Sequence, residues 1–372
     1  MDAHFLRAVV PGLPRRRAEG GRTGPRGSVT VLKPSALDLG FRAGVFRVAQ
    51  LALRRRQAII LTFHRLSGNG EGHPRGLTIA RFEQYLGYLA ERYRVVSLAE
   101  LTSDLERGRV EPYRAAVTID DGYHEVWSLA APVLRRYGIP ASFFVVSDLV
   151  EGSLWLWTDR FRFVFDHAPV GSIELKTRGS IRTIEIRGAG DRQEIAEAWR
   201  EEAKRLPIDE RDALLAALAR AWGIAVPADP PKEYRPMSWA ELRALAQEGF
   251  DVGAHTRTHP ILSNIPAARL LTEIGDCKHH LEWRLGAPVP HFAYPNGKRG
   301  DYTPEVVRAV ARAGYRAAVT AIPGGNTAAT SRFELYRVDG GAPDLAHFAQ
   351  SVSGFEEIRL GRRPSGRRER AA

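Results

Sequence analysis

The stretch AVTIDDGYHEVW (Ala116–Trp127) runs an unbroken apolar segment into two adjacent carboxylates, Asp120 and Asp121, followed by a glycine. A short continuous apolar run reads as a strand covered on both faces, as in parallel sheets flanked by helices. Two neighbouring carboxylates at the end of such a strand repel each other and resist leaving water. A cap for the following helix needs only one acid. The second acid therefore needs its own explanation.

Outward from this stretch, strands and helices alternate. AIILTF (Ala58–Phe63) precedes it as another buried strand, and a helix follows in EVWSLAAPVLRRYG. ASFFVV, FDVGA, HFAYP and RAAVT continue the strands, with amphipathic segments between them. Such alternation predicts an α/β fold with parallel strands and helical crossovers, either a (β/α) barrel or a doubly wound sheet. An insertion interrupts it at about 151–236, with a hairpin around Arg178-Gly179-Ser180 and two amphipathic helices. The expected organisation is a basic segment with a short helix over 1–57, a catalytic domain over 58–355 carrying that insertion, and a basic disordered tail over 356–372.

With 372 residues, 44% of them hydrophobic, the chain can bury one large core. The net charge of +11 sits largely near the ends, in PRRRAEGGRTGPRG, LRRRQ and RRPSGRRERAA. No aromatic-interleaved basic motif accompanies it, which argues against nucleic-acid binding. The single cysteine, Cys277, excludes an internal disulfide and a thiolate metal cage, and its helical context reads as a small buried side chain. A metal must then be held by His, Asp or Glu. No apolar run is long enough to span a bilayer, and the arginine-bearing N-terminus has no apolar signal-peptide core. The expected location is the cytoplasm, with peripheral membrane attachment or export by another route left open. The helical spacing and basic end of Ala36–Gln57 fit a membrane surface, but so short a segment reads first as packing against the domain.

Four polar groups fall at predicted strand ends: His64, Asp120-Asp121-Gly122, His255, and Pro295-Asn296-Gly297. That edge of a parallel α/β fold is where active sites gather. His255 and His259 stand four residues apart, a spacing that brings two imidazoles to one side of a helical turn. With one carboxylate they make a three-donor site for a divalent transition metal. One acid of the pair would coordinate the cation; the other would act as general base on a water whose pKa the cation lowers. His279 and His280 read as surface or helix-packing residues. Trp155 and Trp157, at the start of the insertion, either stack on a sugar ring or anchor the insertion.

TIDDGY, HTRTH and FAYPNG, in that order, resemble the first three motifs of the NodB-type polysaccharide deacetylases of carbohydrate esterase family 4. TFHRL, LTEIGDCKHHLEWRLG and LYRVDG extend the resemblance over most of 58–340. It implies a distorted (β/α) barrel and metal-dependent removal of N-acetyl groups from an amino-sugar glycan of the N-acetylglucosamine type. Carried over by position, Asp120 is the general base, and Asp121, His255 and His259 are the ligands of a divalent ion, Zn2+ or alternatively Co2+ or Ni2+. Tyr294, Pro295, Asn296 and Gly297 form the third motif, in which the Asn296 N–H helps hold the oxyanion.

Two departures stand out. Ala293 occupies the place of the arginine that orients the base, and Arg337 that of the general-acid histidine. These features are similar to those of the exopolysaccharide branch. His64 is the replacement acid, or else a core histidine bonded to backbone. The competing readings are a catalytically silent carbohydrate-binding protein of the same fold, and a deacylase or deformylase of a lipid-linked amino sugar.

Overall fold

The computed structural model describes residues 35–152, 154–177 and 180–359; positions 1–34 of the expected N-terminal segment and 360–372 of the expected tail lie outside the described residues. Eight strands form one sheet: β1 (Ile59–Phe63), β2 (Arg94–Val95), β3 (Arg114–Ile119), β4 (Ala141–Val145), β5 (Asp251–Ala254), β6 (His291–Ala293), β7 (Ala317–Val319) and β8 (Val338–Asp339). Every pair in it is parallel, and the order is β7-β6-β5-β4-β3-β1-β8, with β2 beside the start of β3. A doubly wound sheet would reverse its strand order near the middle. Here neighbours in space follow the chain, and the segment Leu335–Val338 joins the two ends of the sheet: Leu335 bridges Val319 of β7, while Val338, in β8, pairs with Leu61 of β1. The sheet therefore curls into a distorted (β/α) barrel.

The continuous apolar runs fill both faces. Ile59, Leu61 and Phe63 join the helix-covered cluster, while Ile60, Ala116, Phe144, Ala293 and Val319 pack in a second cluster with Leu101 and Leu105 of the helix Leu98–Glu106. The insertion has its own core. Its helix Trp157–His167, antiparallel hairpin Gly171–Thr177/Ser180–Ile186 and helices Ala189–Ala203 and Ile208–Ala221 enclose Phe161, Phe165, Trp199 and Leu218. The hairpin and both helices stand where their patterns predict them.

At the N-terminal end of the expected domain the helical segment over 36–57 is a pair of helices packed on the fold, and at the other end helix continues past the expected start of the tail. Helices Ala36–Arg42 and Val45–Leu53 pack on the helix Leu345–Ser353, with Phe46 in the main core and edge-on to Phe355 at 5.4 Å. Residues 355–359 are helical, and Glu357 pairs with the buried Arg54 at 2.9 Å. Arginines count as tail-like in composition, but one that is itself buried and finds a carboxylate partner becomes structural. Cys277 is fully buried, as expected.

Candidate active site

Strand geometry delivers the site. Asp120 follows β3 and His255 follows β5; their N–H groups donate to Phe63 and Val145 of adjacent strands at 2.9 Å each. Asp121, Thr256, His259 and Asn296 all have positive φ, at 77°, 67°, 57° and 57°. Only two other non-glycine residues among those described do so. Left-handed backbone costs a non-glycine residue about 1–3 kcal/mol and persists where surrounding structure imposes it, so this clustering marks a functional edge. Gly297 is forced as well: at φ 61° a Cβ there would lie 2.7 Å from the Ala321 nitrogen.

The turn after β3 separates the two acids. Asp121 turns its carboxylate toward the histidines, with Oδ1 3.7 Å from His255 Nε2 and 3.6 Å from His259 Nε2. Ligands about 2.1 Å from a tetrahedral cation stand about 3.4 Å apart, so the three donors fit a single ion. The His255 Nδ1 lies 2.7 Å from the Ala293 carbonyl oxygen and donates to it, leaving the Nε2 lone pair for a cation. Burial pushes His255 down to about 4 and His259 down to about 3, with the Asp120 carboxylate opposing. Both imidazoles are neutral at pH 7, the protonation state that ligation requires.

Asp120 is held differently. Arg337 from the barrel seam grips it with two parallel bonds, 2.8 Å to Oδ1 and 2.7 Å to Oδ2, and both side chains are buried. Burial raises the Asp120 carboxyl, but Arg337, His255 and His64 together hold it well below the usual carboxylate range. It is therefore ionised at neutral pH and fixed in orientation. His64 stands beside it, half-exposed, with Nε2 3.7 Å from Asp120 Oδ2. Its side chain is open to solvent rather than locked in the core, so it can face a leaving group.

Beyond Asp121, His255, His259, Asp120 and His64, the structure sorts the remaining sequence candidates. Arg337, expected only as an odd residue in the place of an acid, is the residue that holds the Asp120 carboxylate by both oxygens. In the third motif the Asn296 N–H donates to no protein group among the described residues, while the Gly297 N–H bonds to the Pro295 carbonyl oxygen at 2.6 Å. The Tyr294 side chain is not at the site: it is buried, stacks on Tyr302 at 4.3 Å and donates to the Phe333 carbonyl oxygen. Trp157 offers no face to a sugar, because it is 3% exposed inside the insertion core with the Arg211 guanidinium 4.5 Å from its ring. Trp155 is likewise buried, against Phe163 and Tyr234. Aromatic residues at the base of a small domain are consumed by the apolar area they must bury there.

Two groups escaped the sequence reading. Glu273 is 1% exposed, in a π-helical turn (Leu271–Asp276). It accepts the N–H groups of Arg257 and Thr258 at 3.1 and 3.0 Å and the Thr258 hydroxyl at 2.7 Å, which fixes the loop between the two histidines. Its signal was an acid within the buried spacing Leu270, Ile274, Cys277, Leu281. Side chains that orient metal ligands are worth about 10–100-fold in affinity. Glu273→Ala is accordingly expected to weaken divalent-ion binding at the candidate cluster by about that factor, measured by competition with a chromogenic chelator, and Glu273→Gln to weaken it less. The second group is Arg65, paired with Glu125 at 2.5 Å and lying 3.5 Å over the Tyr123 ring. Tyr123 in turn bonds Asp159 of the insertion, and Arg65 bonds the Glu233 carbonyl oxygen, so this cluster ties the insertion to the loop that carries both acids.

The profile of the polysaccharide deacetylase family matches residues 107–318. Among curated proteins, none matches the chain. Solved structures do. The deacetylase PplD of Streptococcus pyogenes, in complex with acetate, is 18% identical over 80% of this chain and 98% of its own, with TM-score 0.52. IcaB from Ammonifex degensii is 20% identical over 79% of this chain and 97% of its own, also with TM-score 0.52. BC0361, a polysaccharide deacetylase from Bacillus cereus, is 18% identical over 80% of this chain and 69% of its own, with TM-score 0.50. At such identities these likenesses concern the fold.

Proposed function

Since the chain belongs to the polysaccharide deacetylase family and is an enzyme of that class, we propose that it hydrolyses the N-acetyl groups of an amino-sugar polysaccharide or oligosaccharide of the N-acetylglucosamine type. The observation that carries this reading is the division of the acid pair: Asp121 faces two neutral imidazoles, while Asp120 is clamped by Arg337. Asp121, His255 and His259 would hold a divalent ion, and zinc suits one carboxylate with two imidazoles. When bound, the ion supplies Lewis acidity toward the amide oxygen and toward the attacking water.

The residues divide the remaining work. Asp120 takes the water's proton, its ionised state maintained and its orientation fixed by Arg337. The Asn296 N–H donates to the oxygen that gains negative charge in the tetrahedral state. His64 gives a proton to the departing amine, a role supported by its half-exposed ring beside Asp120. Hydrolysis then leaves a free amino sugar and acetate.

Acetate release from N-acetylglucosamine oligomers by zinc-loaded protein tests the proposal directly. His255→Ala and His259→Ala are expected to lose the ion, by elemental analysis after dialysis, and with it at least about two orders of magnitude of turnover. Full metal retention in both variants would overturn the ligand set. A wild-type protein that binds the oligomers and never releases acetate would instead favour the silent carbohydrate-binding reading. Release of formate from formylated amino sugars, with none of acetate, would move the substrate and leave the site intact.

A further inference from the structure

Nine large hydrophobic residues are exposed among those described, and four of them, Leu39, Val45, Val48 and Leu51, fall within one short N-terminal stretch. They belong to the helix pair Ala36–Arg42 and Val45–Leu53, joined at Gly44 with φ 78°. The second helix already has a packed face, formed by Phe46, Ala49 and Gln50. Its opposite face carries Val45, Val48, Leu51 and Ala52, all exposed. At about 100° per residue these four occupy one continuous arc. A solvated helix would place charges there. This one is apolar on both sides, with exposures of 68% at Val48 and 40% at Val45 and Leu51, while Leu39 on the preceding helix stands at 64%.

The charge around this arc has one sign. Arg42, Arg47, Arg55 and Arg56 are exposed at its margins, and none pairs with a carboxylate among the described residues. Asp38, the one acid between Ala36 and Gln57, is half-buried. Arg54 is the exception that explains the rest: it turns inward to Glu357 and the Val352 carbonyl oxygen, so the basic run is split between a structural arginine and outward ones. The sequence just before these helices, 1–34, adds seven basic residues against two acidic ones. An apolar helix face bordered by arginines, with further basic sequence beside it, matches the chemistry of a surface that is apolar below and anionic above.

We propose that the outer face of this helix pair docks the enzyme peripherally on an anionic lipid bilayer. Val45, Val48 and Leu51 enter the boundary between headgroups and acyl chains, and Arg42, Arg47, Arg55 and Arg56 lie among the phosphates. The inference is independent of the proposed deacetylation chemistry, because none of these residues belongs to the site.

The test is co-sedimentation of the full-length chain with vesicles of phosphatidylcholine alone and of phosphatidylcholine with phosphatidylglycerol at 3:1. The expected result is at least tenfold more binding to the anionic vesicles, falling several-fold between low and physiological salt. In V48D/L51D that binding should drop at least tenfold, with circular dichroism and acetate release from soluble oligomers unchanged. In R55E/R56E the preference for anionic vesicles should disappear. Undiminished vesicle binding by V48D/L51D overturns the proposal. So does wild-type protein that ignores both vesicles, whether the substitutions then change its self-association, which would point to a second copy, or its retention on an oligonucleotide column, which would point to nucleic acid.

Discussion

Asp120→Asn is expected to lower acetate release by about 10²–10⁴-fold, the usual contribution of a positioned general base, while the bound ion remains. The substitution preserves volume and replaces the carboxylate that would accept the water's proton with a non-basic amide. Asp121, His255 and His259 keep their mutual geometry, so elemental analysis should still find about one equivalent of metal. The change also leaves the buried Arg337 with one oxygen where it had a carboxylate pair. A melting temperature below wild type is thus part of the same expectation, because breaking a buried ion pair from one side is destabilising. The informative combination is metal retained, fold retained and turnover lost. Near wild-type acetate release from Asp120→Asn would remove Asp120 from the mechanism, and loss of the ion would mean that the two acids have been assigned in the wrong order.

Which acid takes which task came from the family resemblance alone, whereas the gathering of the polar groups was legible because a β-strand has a fixed period and a fixed end. A buried run such as AAVTI (Ala115–Ile119) must stop where polar groups begin, and parallel strands bring all such ends to one rim. Asp120, Asp121, His255 and His64 could therefore be gathered from sequence alone. The orienting arginine could not. Arg337 lies far from Asp120 along the chain, and its approach depends on how the Leu335–Asp339 segment closes the barrel, bridging β7 on one side and pairing with β1 on the other. Nothing local in LYRVDG encodes that closure. Trp157 failed for a related reason: a sequence shows that an aromatic is present, but whether a ring faces ligand or core depends on the area that a small insertion must bury. Glu273 was within reach, since an acid in the buried register of a helix must have found donors.

Arg337→Met carries the second large effect, and its direction follows from the two opposing influences on Asp120. In the wild type, burial raises the Asp120 carboxyl and Arg337, with His255 and His64, more than reverses this, so the folded value lies below the ordinary 3.8. A group depressed in this way contributes stability that is present above the unfolded value and lost only as pH falls below it. Removing the guanidinium takes away the largest influence that opposes burial, and the expected result is a folded value above the unfolded one. Stability is then lost as pH increases through 3.8 toward the new folded value. The chelator-treated variant should thus be weaker than wild type by about 3–5 kcal/mol at neutral pH, with the gap narrowing on acidification. Activity should follow the same titration. The wild-type acid limb cannot come from Asp120 near neutrality, whereas in Arg337→Met the ionised fraction of the base becomes limiting and the limb of kcat/KM moves to higher pH. Arg337→Lys keeps the charge but not the two parallel bonds, and belongs between the two. Melting curves from pH 4 to 8 beside kcat/KM over the same range measure both effects. Stability curves that run parallel, with an unmoved acid limb, would show that Arg337 does not set the state of Asp120. Crossing slopes would establish that the arginine closing the barrel seam also keeps the base ionised.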